Sequence, residues 1–199
     1  MLINYCSTKT KPVLIALGLL LSSAVNADMT LDAESSSISF MSTKNANFSE
    51  QHTFDSFTGS LNDKGELVIT IDMASVNTMI PIRNERMKSM LFKVSDYNQA
   101  NFVAKVDKDL TSLAPGERKT ATVKGDMTIV GNTVPVSFDV NVVGLAGNKL
   151  SVTTTKPTIL STSSFGLDEG VASLQNIAGL NSISTAVPLS FSVVFTKKN

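Results

Sequence analysis

Hydrophobic and polar residues alternate along several stretches of the chain, with the two-residue period of a β-strand. From Val134 to Val142 the even-numbered residues are apolar, and the odd-numbered residues are Pro, Ser, Asp and Asn. From Ala121 to Ile129 most odd-numbered residues are apolar. Because alternate side chains of a strand point to opposite faces of a sheet, each stretch predicts a strand with one apolar face. Together with similar runs, the pattern predicts about eight strands, the other runs being 38–40, 57–61, 67–71, 102–106, 150–152 and 187–195.

Turn-forming residues separate these runs. Asn62–Gly65 lies between two of them, and Gly131-Asn132 is typical of a two-residue hairpin. Gly144–Asn148 and Pro115-Gly116 mark further loops. Short connections of this kind make neighbouring strands antiparallel. Pro135 falls on a polar position of its run and indicates a sheet edge, a strand start or a bulge.

One stretch has the spacing of a helix instead. In residues 82–94, Met87, Met90, Leu91 and Val94 recur at intervals of three and four among polar residues. Pro81 stands where it could open this helix. Residues 164–180 are Gly-rich and weakly periodic, and we interpret them as a long loop with one helical turn.

About eight antiparallel strands must hide their apolar faces, either in a sandwich or in a closed barrel. Several runs are long, up to residues 119–131, and long tilted strands favour the barrel. An outer-membrane barrel is disfavoured because the chain has no Trp, and Tyr97 is the one Tyr beyond the N-terminal segment. The interior of an eight-stranded barrel is either filled by side chains or holds one small ligand, and the pattern is compatible with both.

The N-terminal segment has the form of a secretory signal peptide. Lys9 and Lys11 precede an apolar run from Val13 to Leu21, and small residues lead to Val25-Asn26-Ala27. We therefore predict a signal peptide at residues 1–27, one domain at 28–199 and export to a bacterial periplasm. A run of nine apolar residues is too short to span a bilayer, so no transmembrane segment is expected after cleavage.

Composition excludes several kinds of chemistry. Lys plus Arg and Asp plus Glu number 17 each, a balance that argues against nucleic acid as a partner. One Cys and one His cannot build a zinc or iron–sulfur site, so neither a metal nor a cofactor is expected. We find no nucleophile elbow, HExxH motif or P-loop, and we expect His52, in a polar stretch, to lie at the surface. The prediction is that the protein is not an enzyme.

The chain resembles the YceI family, the polyisoprenoid-binding, lipocalin-like periplasmic proteins of bacteria. The strongest segment is residues 123–136, which is similar to the family pattern V-x-G-x-L-T-x-x-G-x-T-x-P-V at full length. Residues 31–40, 57–61, 75–78 and 83–89 resemble other family segments in the same order, and Phe165-Gly166 resembles a late Phe-Gly. The sequence departs from the family pattern mainly around the helix, for example at Arg86 and at Leu91-Phe92.

The resemblance implies an all-β fold: an antiparallel up-and-down, lipocalin-like barrel of about eight strands with one short helix near its mouth. It also implies a cavity that holds a long isoprenoid, such as a polyprenyl chain or the tail of a quinone, as a bound ligand. The expected function is a periplasmic lipid-binding or carrier protein. The alternative is a non-catalytic exported interaction or stress-related β module with a filled core, and an open mouth would also suit a homodimer.

The candidate ligand-binding residues are apolar side chains on the inferred inward faces and on the helix. Each is a core residue whatever the function, and the helix residues could equally pin the helix: Phe40, Ile69, Met87, Met90, Leu91, Phe92, Phe102, Met127, Ile129, Phe138, Phe165, Phe191 and Val193. Arg83 and Arg86 are candidates for a polar head group, and a salt bridge or a solvated position is the competing interpretation for both.

Overall fold

The computed structural model describes residues 29–197, so the signal peptide predicted at residues 1–27 lies outside the described residues. Most of the described chain is β-strand, as the two-residue alternation predicts. In chain order the strands and α-helices are β1 Met29–Lys44, β2 Phe48–Phe54, β3 Phe57–Leu61, β4 Glu66–Asp72, β5 Val76–Asn77, α1 Pro81–Arg86, β6 Gln99–Lys105, β7 Arg118–Ile129, β8 Asn132–Leu145, β9 Lys149–Thr154, β10 Thr158–Ser161, α2 Asp168–Ile177 and β11 Ala186–Lys197.

Eight of the strands close into an antiparallel barrel. Going round the barrel, the order is β1-β3-β4-β6-β7-β8-β9-β11, and β11 pairs again with β1. The closing pair runs from Met29 opposite Lys197 to Phe40 opposite Leu189. Because each barrel strand neighbours the next barrel strand along the chain, the barrel is of the up-and-down type. The predicted fold class is confirmed.

Tight turns connect the strands, as expected. Val130 and Gly131 form a two-residue turn between Ile129 and Asn132, both with positive φ (47° and 76°), as this hairpin type requires. The turn therefore lies one residue earlier than the Gly131-Asn132 prediction. Pro135 pairs only with Asp126 of β7, in the half of β8 that precedes the pairing with β9, which agrees with its prediction as an edge position.

Three short strands extend one end of the barrel. The register of β1 against β11 shifts between Asp32 and Ser37, and beyond this irregularity β1 pairs with β2. β5 pairs with the end of β2, and β10 pairs with the start of β11. These additions lengthen the wall at this end, which we call the upper end.

The helices also lie at the upper end. Pro81 opens α1 as predicted, and the helix continues into a π-helical turn, Met87–Leu91. The interpretation of residues 164–180 as a long loop is wrong, because they contain the ten-residue helix α2 after a 3-10 turn, Ser163–Phe165. α2 packs closely on the π-helical turn at Gly170, where a Cβ would lie 2.8 Å from the Met90 carbonyl oxygen.

The core side chains line the inside of the barrel wall, and one glycine is essential to their packing. Phe102 and Phe138 meet edge to face with ring centroids 5.2 Å apart. Gly125, on the inward face of β7, leaves room for this pair. A Cβ there would lie 2.4 Å from the Val103 carbonyl oxygen and 2.7 Å from Cζ of Phe102. Gly125, the first glycine of the family-like segment 123–136, is therefore required for packing.

Replacing Gly125 by Ala should lower the free energy of unfolding by about 1–3 kcal/mol, because the added methyl group overlaps a backbone carbonyl oxygen that cannot move freely. Urea unfolding followed by circular dichroism measures this change. Lys124→Ala, at the exposed neighbouring position, is the matched control and should change stability little. Equal stabilities for the two variants would contradict the packing role of Gly125.

Candidate functional site

The barrel interior is hollow, and the hollow has two sections. The lower section has a cavity volume of about 110 Å³ and about 910 Å³ of space between atoms, openings to solvent included. The upper section has a cavity volume of about 100 Å³ and about 730 Å³ of such space. The small cavity volumes indicate a narrow space, and we call the two sections together the passage.

The two sections adjoin inside the barrel, because both are lined by Ile71, Phe102, Met127 and Leu189. The wall is almost entirely hydrocarbon. Thr111 is the one polar residue that lines the lower section, and three polar residues line the upper section, Asn101, Ser161 and Thr162. Such a wall can remove an apolar chain from water but offers few hydrogen bonds to position a polar one.

Eleven of the thirteen apolar candidates from the sequence lie on this wall. They are Phe40, Leu91, Phe92, Ile129 and Phe165 in the upper section, Ile69, Phe138, Phe191 and Val193 in the lower section, and Phe102 and Met127 in both. Met87 is buried and Met90 is partly exposed, but neither lines a section. Of the two interpretations for these methionines, the structure favours anchoring of the helix.

Further wall residues are absent from the sequence-based set. Ile38, Val123, Leu189 and Phe195 share the inward parity of predicted strands, so the alternation could have identified them. Leu160 and Leu167 line the upper section as well. Leu167 lies in the segment that was interpreted as a loop, and no periodic signal marks it.

Aromatic rings close the upper end of the passage. The ring centroid of Phe54 lies 5.3 Å from that of Phe40 and 6.0 Å from that of Phe92. Phe40 and Phe54 come from the paired strands β1 and β2, whereas Phe92 follows the π-helical turn. The helical segment therefore supplies part of the cover over the passage.

His52 lies behind this aromatic cover and is only 3% exposed, so its prediction as a surface residue is wrong. It lies on the inward face of β2, opposite Phe40, and the two ring centroids are 5.3 Å apart. Its Nε2 atom lies 2.8 Å from the hydroxyl oxygen of Ser42. Burial, the largest cause, lowers the pKa of His52 to about 4, and the charge of Arg83 acts in the same direction.

An ion cluster lies beyond His52 on the same face. Nη1 of Arg83 donates to Oε2 of Glu50 at 2.8 Å, and Lys44 pairs with the same carboxylate. Nη2 of Arg83 donates to the carbonyl oxygen of Thr78 at 2.7 Å. The hydrogen bond from Lys44, followed by that from Arg83, holds the pKa of Glu50 below its usual value.

The two head-group candidates therefore differ in environment. Arg83 is engaged by Glu50 and Thr78, which is the salt-bridge interpretation given for it above. Arg86 is partly exposed at the end of α1 and forms no ion pair within the described residues. A role of either side chain toward a head group stays a prediction.

The contact between Ser42 and His52 resembles half of a nucleophilic triad, so it bears on the enzyme question. A triad needs a carboxylate on Nδ1 of the histidine to orient the ring. Here Nδ1 is buried with no hydrogen-bond partner, and the nearby carboxylate of Glu50 is bound by Lys44 and Arg83 instead. His52 therefore lacks the orienting group that would let it act as a general base toward Ser42.

The described part of the chain also bears on metal binding and on membrane-spanning helices. Within residues 29–197, His, Cys, Asp and Glu form no group of three or more that could hold a metal ion. No helix in this range combines the length and the apolar character needed to cross a bilayer.

Comparison with known proteins gives one family and several similar structures. The model of the YceI-like domain family matches residues 29–195. A polyisoprenoid binding domain from Saccharophagus degradans, implicated in plant cell wall breakdown, is 32% identical; the match covers 86% of this chain and 99% of that chain, with a TM-score of 0.84. No curated protein matches the sequence.

Two more distant structures share the fold alone. BcnA of Burkholderia cenocepacia is 22% identical, over 82% of this chain and 98% of that chain, with a TM-score of 0.64. The Campylobacter jejuni YCEI protein is 18% identical, over 74% of this chain and 85% of that chain, with a TM-score of 0.56.

The buried neutral His52 should make stability depend on pH. Above pH 6.5 the ring is neutral in the folded and in the unfolded chain. As the pH falls below about 6.5, the unfolded chain binds a proton that the folded chain does not bind until the pH approaches 4. We expect the free energy of unfolding to fall by about 1–2 kcal/mol between pH 6.5 and pH 5.

Urea unfolding at these two pH values tests this expectation, with His52→Gln as the comparison. The variant cannot take up the proton, so most of the decrease should disappear whatever its absolute stability. If the variant lost as much stability as the wild type over this range, His52 would not be its source.

Proposed function

The chain belongs to the YceI-like family, and we propose that its barrel binds an isoprenoid or similarly long apolar lipid, a polyprenyl chain or a quinone tail, along the interior. The observation that carries this proposal is the passage of two adjoining sections with a hydrocarbon wall. Its narrowness and its hydrocarbon wall fit an apolar chain better than a compact polar ligand.

The energetics support a hydrocarbon chain as the ligand. Each CH₂ group that leaves water contributes about 0.8 kcal/mol, so a tail of several isoprene units gains enough to bind without polar contacts. Methyl branches of an isoprenoid suit a wall of Val, Ile, Leu, Phe and Met side chains, since Met127 can adapt its shape at the junction of the sections. Polar contacts are needed only at the end of the ligand.

One of the similar structures supports the same class of ligand. The Saccharophagus degradans protein is named as a polyisoprenoid binding domain, and this chain covers almost all of it. A core filled by side chains, on which the alternative interaction module depends, does not agree with the two cavity sections.

We further propose that the protein acts as a carrier in the periplasm without catalysing a reaction. The signal-peptide pattern at residues 1–27 supports export. The hydrocarbon wall and the incomplete Ser42–His52 pair support binding without chemistry on the ligand. A carrier of this kind would shield an apolar chain from water between membranes.

Extraction of the natively purified protein with organic solvent, followed by mass spectrometry, tests the ligand class. We expect an isoprenoid or other long apolar lipid at about one molecule per chain. Repeated recovery of empty protein from its own host would contradict the proposal.

Replacing Ile71 by Trp should reduce ligand retention by about tenfold or more, because the indole would block the junction and exclude several CH₂ groups from the passage. The ratio of ligand to protein, measured by native mass spectrometry, reports the loss. Thr70→Trp places the same side chain on the opposite face of β4 and should retain the ligand. Equal retention in both variants, with both folded, would show that the ligand does not occupy the junction.

A further inference from the structure

Four consecutive residues at the upper end expose their side chains although three of them are large and apolar. Met79 is 84% exposed, Ile80 is 42% exposed and Ile82 is 59% exposed, with exposed Pro81 between the isoleucines. We call residues 79–82 the apolar tip. Isolated exposed apolar residues are ordinary, but a contiguous group of this kind indicates a surface that contacts something apolar.

The apolar tip is held rigidly in its exposed position. Met79 has a positive φ of 62°, which is unfavourable for a residue with a side chain. Hydrogen bonds on both sides maintain this conformation: the N–H of Met79 donates to Oδ1 of Asn77 at 2.9 Å, and the N–H of Thr78 donates to Oδ1 of Asn84 at 2.8 Å. These hydrogen bonds fix the backbone, so the side chains of the apolar tip stay directed toward solvent.

The apolar tip is also connected to the lipid passage. Its last two residues, Pro81 and Ile82, are the first two of α1, which continues into the π-helical turn. This helical segment supplies Leu91 and Phe92 to the wall of the upper section. On its other side, Arg83 ties α1 to Glu50 on β2. A surface that contacts the apolar tip would consequently lie next to the end of the passage.

The segment that follows the apolar tip has more cationic side chains than carboxylates. Residues 83–93 carry four cationic side chains and one carboxylate, Glu85, which pairs with Lys88. Arg86 and exposed Lys93 have no ion pair within the described residues. This local excess contrasts with the whole sequence, where acidic and basic residues are equal in number.

An exposed aromatic side chain on β2 extends this surface. Phe48 is 64% exposed at the start of β2 and shares the face of that strand with Glu50, the partner of Arg83. Apolar groups that project from two segments, with cations beside them, match the interface of a bilayer. There the apolar groups enter the acyl boundary, and the cations meet anionic head groups.

We infer that residues 79–82, with Phe48 and the cations of residues 83–93, dock the upper end of the barrel onto a membrane that contains anionic phospholipid. The inference rests on the proposed function, since it explains how an apolar chain passes between bilayer and barrel without crossing water. Docking by the apolar tip would bring the aromatic cover of Phe40, Phe54 and Phe92 to the membrane surface.

Vesicle flotation tests the inference, with vesicles of phosphatidylcholine alone and of phosphatidylcholine with phosphatidylglycerol. The wild type should float with the anionic vesicles, and high salt should weaken its binding. The double variant Met79→Asp/Ile82→Asp should bind about tenfold less or weaker still, because it places charges where apolar groups enter the bilayer. Leu145→Asp is the matched control, because Leu145 is 37% exposed but lies at the β8–β9 hairpin, at the end of the barrel opposite the helices, and it should bind like the wild type.

Two further measurements separate the outcomes. Ligand retention by the double variant, measured by native mass spectrometry, should equal that of the wild type, so loss of docking and loss of ligand binding are distinguishable. Met79→Ser/Ile82→Ser serves as a milder variant if the charged one does not fold. Equal vesicle binding by wild type and either folded variant would overturn the inference, as would wild-type protein that stays off anionic vesicles. A self-association of the wild type that the variant abolishes, without vesicle binding, would assign the apolar tip to a contact between copies and overturn membrane docking.

Discussion

The pairing of β1 with β11 closes the barrel, and the rest of the structure depends on this closure. An open sheet of these strands would leave an apolar face in water, whereas closure brings every inward side chain into one interior. Eight strands set a diameter that large side chains can just fill. Here many inward positions on β8, β9 and β11 are valine, for example Val140, Val152 and Val193, whose short side chains do not reach across. The same closure that protects the core therefore leaves it hollow.

The extension of the upper end converts a uniform apolar tube into a directional one. Along the face shared by β1 and β2, the residues change from Phe40 and Phe54 to buried His52 and its partner Ser42, and then to the ion cluster of Glu50 with Arg83 and Lys44. The lower section has no comparable sequence of polar groups on its wall. An amphiphile would thus place its apolar tail deep in the barrel and its polar end toward the helices, because the opposite orientation would bury a polar group among hydrocarbon.

The alternation of residue types was sufficient to predict the eight strands of the barrel, their antiparallel order and most of the wall, because burial of one face imposes a period of two. It missed the short strands β2, β5 and β10 of the upper end. It did not predict the location of His52, since the outward neighbours Gln51 and Thr53 make the stretch look solvated, and only pairing with Phe40 turns it inward. The helix prediction failed in detail for a different reason. Leu91 and Phe92 line the upper section as predicted, but Met87 and Met90 do not, because a π-helical turn has a different period from the α-helix assumed for the segment.

The helix α2 illustrates a limit of local pattern. Glycines weaken a helix, and Gly170 together with Gly166 and Gly179 made the segment resemble a loop. In the folded chain Gly170 is the point where α2 touches the backbone of Met90 and Leu91, so the contact that needs the glycine is the contact that holds the helix. This information is tertiary and has no counterpart in the sequence of the segment itself.

The barrel and the helical segment at its upper end are held by different kinds of interaction. Each strand of the barrel is joined to two neighbours by backbone ladders, so separating any pair breaks several bonds at once. The segment from α1 through Phe92 is helical and makes no such ladder. It is held by the ion pair of Arg83 with Glu50, by the burial of Met87, Leu91 and Phe92, and by the close packing of α2 on the π-helical turn. Side-chain contacts, and not a ladder, therefore set the cost of exposing the upper section at this segment, and the residues proposed to face a membrane adjoin it.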